Sequence, residues 1–84
     1  MTIDHLDKRP FFEQLARIIA EQIKAGEYEP RQVLPSETQL QQAHGLARGT
    51  VRHAMRILGE QGWTVTVQGR GTYVNDREHW PAEP

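Results

Sequence analysis

The sequence predicts a mainly α domain with a small β-hairpin, three helices followed by two short strands, and three observations carry that prediction. Apolar residues recur at helical spacing in stretches that stop at Gly26, Gly45 and Gly62. Ser36-Glu37-Thr38-Gln39 has the spacing of a capping box, which marks a helix start. Two β-rich runs, residues 63–67 and 72–74, flank the glycine-containing segment Gln68-Gly69-Arg70-Gly71. At 84 residues the chain has room for a single small domain.

The first helix follows Pro10, whose missing N–H has no partner to lose at a helix start. Phe12, Leu15, Ala16, Ile19 and Ile23 fall on one stripe, widened by Phe11 and Ile18, and Gly26 ends it. That stripe is expected to be core. Pro30 pushes Glu29 out of helical geometry, and Gln32-Val33-Leu34, too short to define a strand by its pattern, could form one edge strand that Pro35 closes. The second helix then runs from Glu37 to about His44, capped by Ser36 and Gln39, and is expected to bury Leu40 and Ala43. Gly45 permits a sharp left-handed ending, and Leu46 is placed to plug the space between helices. The third helix runs from about Arg48 to Gln61. Its apolar stripe is Val51, Ala54, Met55 and Leu58, while Arg48, Gly49, Arg52, His53 and Arg56 occupy the other side. After Gly62, residues 63–67 alternate like a half-buried strand, with Trp63 and Tyr73 expected to pack in the core or hairpin. Residues 1–9 are expected to be a flexible N-terminus, residues 10–74 the domain, and residues 75–84 a tail or the start of a linker.

Two helices joined by a three- or four-residue turn containing glycine form a helix-turn-helix. The charge distribution suits such a unit. The whole chain has a net charge of −1, but residues 31–74 hold five arginines against Glu37 and Glu60, a local net of +3. Arginine's planar fork matches both phosphate oxygens and the O6/N7 edge of guanine. Gly49 keeps the helix surface low between two long cationic side chains, and Arg70 sits alone at the tip of the hairpin.

Other chemistries find little support. Without cysteine there is neither a disulfide framework nor a thiolate metal site, and His5, His44, His53 and His79 lack ligand spacing. No nucleophile stands in a catalytic context, no phosphate-cradling loop ends in Lys-Ser/Thr, and Ser36 is explained by capping. An enzyme is not expected, nor is a cofactor. No apolar run reaches the roughly 18 residues of a spanning helix, and no signal peptide opens the chain, so a soluble cytoplasmic protein without membrane contact is expected.

Pro10-Phe11-Phe12-Glu13-Gln14-Leu15, Leu34-Pro35-Ser36-Glu37 with Leu40, Gly45-Leu46-Ala47-Arg48-Gly49-Thr50-Val51-Arg52, Leu58 with Gly62, and Gly69-Arg70-Gly71-Thr72-Tyr73-Val74 stand in a definite order. Together they resemble the winged helix-turn-helix domain of GntR-family bacterial transcription regulators, over residues 10–74. The resemblance implies a sequence-specific regulator of transcription, a repressor on a palindromic operator, bound to double-stranded DNA as a homodimer. It places the start of the third helix in the major groove and the wing tip in the minor groove. Carried over position by position, Arg48, Gly49, Thr50 and Arg52 match the major-groove positions, and Gln68, Gly69 and Arg70 match the wing contacts. Arg56, Ser36 and Thr38 complete the candidate DNA-binding set. Thr38 stands where many members have a DNA-reaching Arg or Lys, and Ala47 where they have a Ser or Thr cap. Family members continue into a C-terminal domain that binds a small effector and carries most of the dimer contact. This chain is therefore expected to be an excised DNA-binding domain or a short regulator without its own sensor. A weak or absent dimer in isolation and no effector site within the chain are expected. A winged-helix protein-interaction module that does not bind DNA is the alternative.

Overall fold

The computed structural model describes residues 2–82. Helix α1 spans Phe11–Lys24, with Pro10 at its N-cap accepting from the Glu13 and Gln14 N–H groups. It ends as the glycine predicted, Glu27 N–H reaching back to the Gln22 carbonyl and Gly26 N–H to Ile23. Helix α2 covers Glu37–His44, and its capping box forms in full: Ser36 Oγ accepts from Gln39 N–H while Gln39 Oε1 accepts from Ser36 N–H. Gly45, at φ 65°, turns the chain into Leu46 and Ala47. Helix α3 spans Arg48–Gln61. Its end, Gly62, has φ 98°, and a Cβ there would stand 2.0 Å from the His79 carbonyl oxygen, so conformation and space both demand glycine.

The antiparallel strands β1, Thr64–Val67, and β2, Gly71–Val74, pair Thr64 with Val74 and Val67 with Gly71. The segment around Val33 adds an edge to β2. Val33 bridges to Tyr73, Leu34 N–H donates to the Thr72 carbonyl, and Val74 N–H donates to the Gln32 carbonyl.

The core forms where α1 crosses α3. Leu15, Ala16, Ile19 and Ile23 meet Val51, Ala54 and Leu58, and Leu34, Leu40, Leu46, Trp63 and Val74 close the ends. Burying such side chains contributes roughly 1.5–3 kcal/mol each, the main favourable contribution in a domain this small. Among the described residues no buried side-chain polar atom lacks a hydrogen-bond partner.

Three expectations need correction. Ala43 is exposed, because the inward face of α2 is centred between Leu40 and the half-buried Gln41 and His44, about 100° around the helix from Ala43. Phe11 is 36% exposed and meets the His5 ring rather than the core. Strand β1 does not alternate cleanly, since Val65 and Val67 are both exposed and only its base is covered, at Thr64. Among the described residues this face of the hairpin is left partly open.

The chain ends are also better tied than expected. Gln14, buried among apolar neighbours, accepts from Asp4 N–H and donates to the carbonyls of Asp4 and Arg9, folding residues 4–9 onto α1. Beyond β2, Asn75 N–H donates to the Trp63 carbonyl, Trp80 Nε1 donates to the Asn75 carbonyl, and the Trp80 ring lies 5.4 Å from that of Trp63. A forked pair between Arg31 and Asp76 holds the same region from the other side. The last two residues of the expected tail, Glu83 and Pro84, lie outside the described residues.

Candidate nucleic-acid interface

Helix α3 has two opposed faces. At about 100° per residue, Val51, Ala54 and Leu58 point inward and are fully buried. Gly49 lies about 170° away from that stripe, with Arg52 and Arg56 beside it on the outer face and Arg48 on its flank. Arg48, Gly49, Arg52 and Arg56 are all exposed, whereas Thr50 is half-buried on the opposite flank. Glu60 follows on the outer face one turn after Arg56, so the cationic part is confined to about the first two and a half turns.

The start of that helix has no side-chain cap, as the alanine at position 47 predicts. Val51 N–H reaches the Ala47 carbonyl, and the first turn contains no acid. This leaves the end of α3 open toward whatever it faces.

A second set of candidates converges on the groove between the start of α2 and the wing. Ser36, Glu37, Thr38 and Gln39 line one wall, Gln68, Gly69, Arg70 and Gly71 the other, with Met55 of α3 below. The three-residue tip, Gln68 to Arg70, is exposed, with Gly69 at φ 80° and Arg70 N–H bonded to the Val67 carbonyl. Ser36 Oγ accepts from Gln39 N–H, yet its own hydroxyl proton remains free to donate outward.

Glu37 links the two sets, and reading the sequence missed it. It lines the groove, and its Oε1 lies 3.6 Å from Arg52 Nη2 on α3. The available signal was its isolation, since Glu37 and Glu60 are the two acids in the basic middle of the chain. His53, which the sequence places on the same side of α3 as the arginines, stacks on Phe12 with ring centroids 3.9 Å apart and belongs to the α1–α3 packing. Among the described residues no group of His, Asp or Glu is arranged to hold a metal ion, and no helix is long and apolar enough to cross a membrane.

An arginine-bearing helix presented by a tight glycine turn, on a three-helix body with a cation-tipped hairpin beside it, defines a winged helix-turn-helix protein. The chain belongs to the gntR family of bacterial regulatory proteins, whose family model matches residues 11–74. It is 46% identical over 68 residues to the mannosyl-D-glycerate transport/metabolism system repressor MngR of Escherichia coli (strain K12), covering 81% of this chain and 28% of that protein. The fold is similar to YtrA from Sulfolobus acidocaldarius, a GntR-family transcription factor, at 36% identity and a TM-score of 0.84 over 90% of this chain and 80% of that one. It is also similar to the DNA-binding domain of AraR crystallised with its operator ORX1, at 34% identity and a TM-score of 0.79 over 88% of this chain and 92% of that one. The family is one of DNA-binding transcription regulators, not of enzymes. The chain spans less than a third of the length of the curated relatives it matches, 28% for MngR and 31% for the repressor NagR of Bacillus subtilis (strain 168).

Proposed function

We propose that this chain binds double-stranded DNA sequence-specifically and represses transcription by occupying a palindromic operator, one copy on each half-site. The observation that carries this reading is the outer face of α3, where Arg48, Arg52 and Arg56 stand exposed opposite a fully buried stripe. The same fold in AraR has been crystallised on an operator, and MngR is named a repressor.

In this reading Arg48, Thr50 and Arg52 meet base edges in the major groove, with Gly49 allowing close approach. Arg56, Ser36 and Thr38 contact phosphates and set the register. The wing tip, Gln68, Gly69 and Arg70, enters the minor groove, where a narrow A·T-rich segment concentrates negative potential and favours Arg70. An isolated copy is monomeric or pairs weakly, and the operator brings two together.

Selection of bound duplexes from a random pool, followed by titration of the winner at several salt concentrations, tests the proposal. A single inverted-repeat consensus is expected, with log affinity falling linearly in log salt by about 0.9 for each phosphate contacted. Indifference to duplex DNA at low salt would overturn it and favour a protein-binding role for the same surface.

A further inference from the structure

Nothing inside the protein requires glycine at position 49. Its backbone is ordinary helix, outside the positive-φ glycines, and a Cβ added there would meet no atom within 4 Å. Gly62 contrasts with it in both respects, and Gly59, the other glycine within α3, has Thr64 Oγ1 3.8 Å from the same point. Glycine is also a poorer helix residue than alanine, because ordering its backbone costs more entropy. At an uncapped helix start this choice weakens the fold and returns no contact within it.

The surroundings indicate what the missing side chain is for. Gly49 lies at the middle of the outer face, with Arg52 and Arg48 about 60° and 100° to one side and His53 and Thr50 about 40° and 100° to the other. Larger side chains thus flank a bare stretch of backbone on which a Cβ would meet no described atom within 4 Å. The apolar group that the major groove presents is the C5-methyl of thymine.

We propose that Gly49 is a specificity-determining residue whose missing side chain receives a thymine methyl, so that the operator carries a T·A pair opposite it, beside the bases read by Arg48 and Arg52. This rests on the DNA-binding reading above and adds the identity of one base pair to it. A Cβ at position 49 and the thymine methyl compete for the same space.

The experiment uses the duplex selected by the wild-type chain. Each thymine of the half-site is replaced singly by 2′-deoxyuridine, which removes only the methyl, and binding is measured for the wild type, Gly49→Ala and Gly49→Ser. One deoxyuridine position is expected to weaken wild-type binding about three- to tenfold, the worth of one buried methyl. Gly49→Ala is expected to melt no lower than the wild type and to bind the thymine duplex about tenfold more weakly, as overpacking does. It should recover most of that loss on the duplex with deoxyuridine at that one position. Gly49→Ser should follow the same pattern. Equal or tighter binding of Gly49→Ala to the thymine duplex, or a loss that no deoxyuridine relieves, overturns the proposal. If the wild type selects no duplex, the DNA-binding reading fails first, a result distinct from either of these.

Discussion

Arg52, on the outer face of α3, reaches across to Glu37 of α2. Its guanidinium lies 3.6 Å from Glu37, but with 60% of the side chain exposed the pair is screened and adds little stability, about 0–1 kcal/mol. Replacing Arg48 or Arg52 with alanine is expected to cost about 1–3 kcal/mol of operator binding and to relax preference at the base each one reads. Gel-shift titration against matched and singly mismatched duplexes checks this, and an unchanged preference removes the residue from base readout. Far from this face, the Arg9 side chain and N–H hold the Asp7 carboxyl down from 3.8 to about 2. Because the folded value lies below the unfolded one, the contribution is complete above about pH 4 and disappears as pH falls through about 2. Carboxyl NMR titration should place Asp7 near that value, and a midpoint near 4 would contradict the pairing. The exposed arginines were legible because helical periodicity fixes which way a side chain points. Glu37 as their partner and the His53–Phe12 stack were not, since each joins residues on different helices.

Helices α2 and α3 begin in opposite ways, and the difference is chemical. Ser36 and Gln39 satisfy two backbone N–H groups of α2, whereas Ala47 offers α3 no side-chain acceptor. Ala47→Ser is expected to raise stability by about 1 kcal/mol, and Ser36→Ala to lower it by a similar amount, both readable in thermal melts. A cap that fails to stabilise α3 would mean that its first turn is already satisfied in the free protein. Caps and glycine stops made the helix boundaries readable, because they are local chemistry. Ala43 and the valines of β1 were misjudged for the complementary reason. Periodicity describes a face, but which face is covered depends on what lies opposite, and among the described residues the face of Val65 and Val67 is covered only in part.

At the scale of the molecule, the segment after the hairpin acts as a clasp. Trp80 rests on Trp63 and bonds to the Asn75 carbonyl, while Asp76 takes the Arg31 fork, so the exit of the chain is fastened to the end of α3 and to the edge beside β2. Trp80→Ala removes the hydrogen bond to Asn75, the contact with Trp63 and the Arg77 guanidinium 5.5 Å from its ring, and is expected to destabilise the fold by about 1–3 kcal/mol. Trp63 should become wetter and its emission shift to the red; unchanged melting and emission would show that the clasp contributes nothing. Sedimentation at micromolar concentration is expected to find a monomer or weak dimer that becomes two copies per operator on adding DNA. A tight dimer without DNA contradicts that expectation.

The order of three helices and a hairpin, the turn at Gly45, the outward arginines and the family itself were determined by the sequence alone. All of these depend on spacing, on glycine's access to positive φ or on a capping hydroxyl, and such causes act within a few residues. Tertiary structure decided the rest: the clasps formed by Gln14 and Trp80, the meeting of Glu37 with Arg52, and the exposure of Val65 and Val67. Each of these depends on which surfaces meet after the chain has folded back on itself, and residues far apart in sequence carry no periodic mark of their future neighbours.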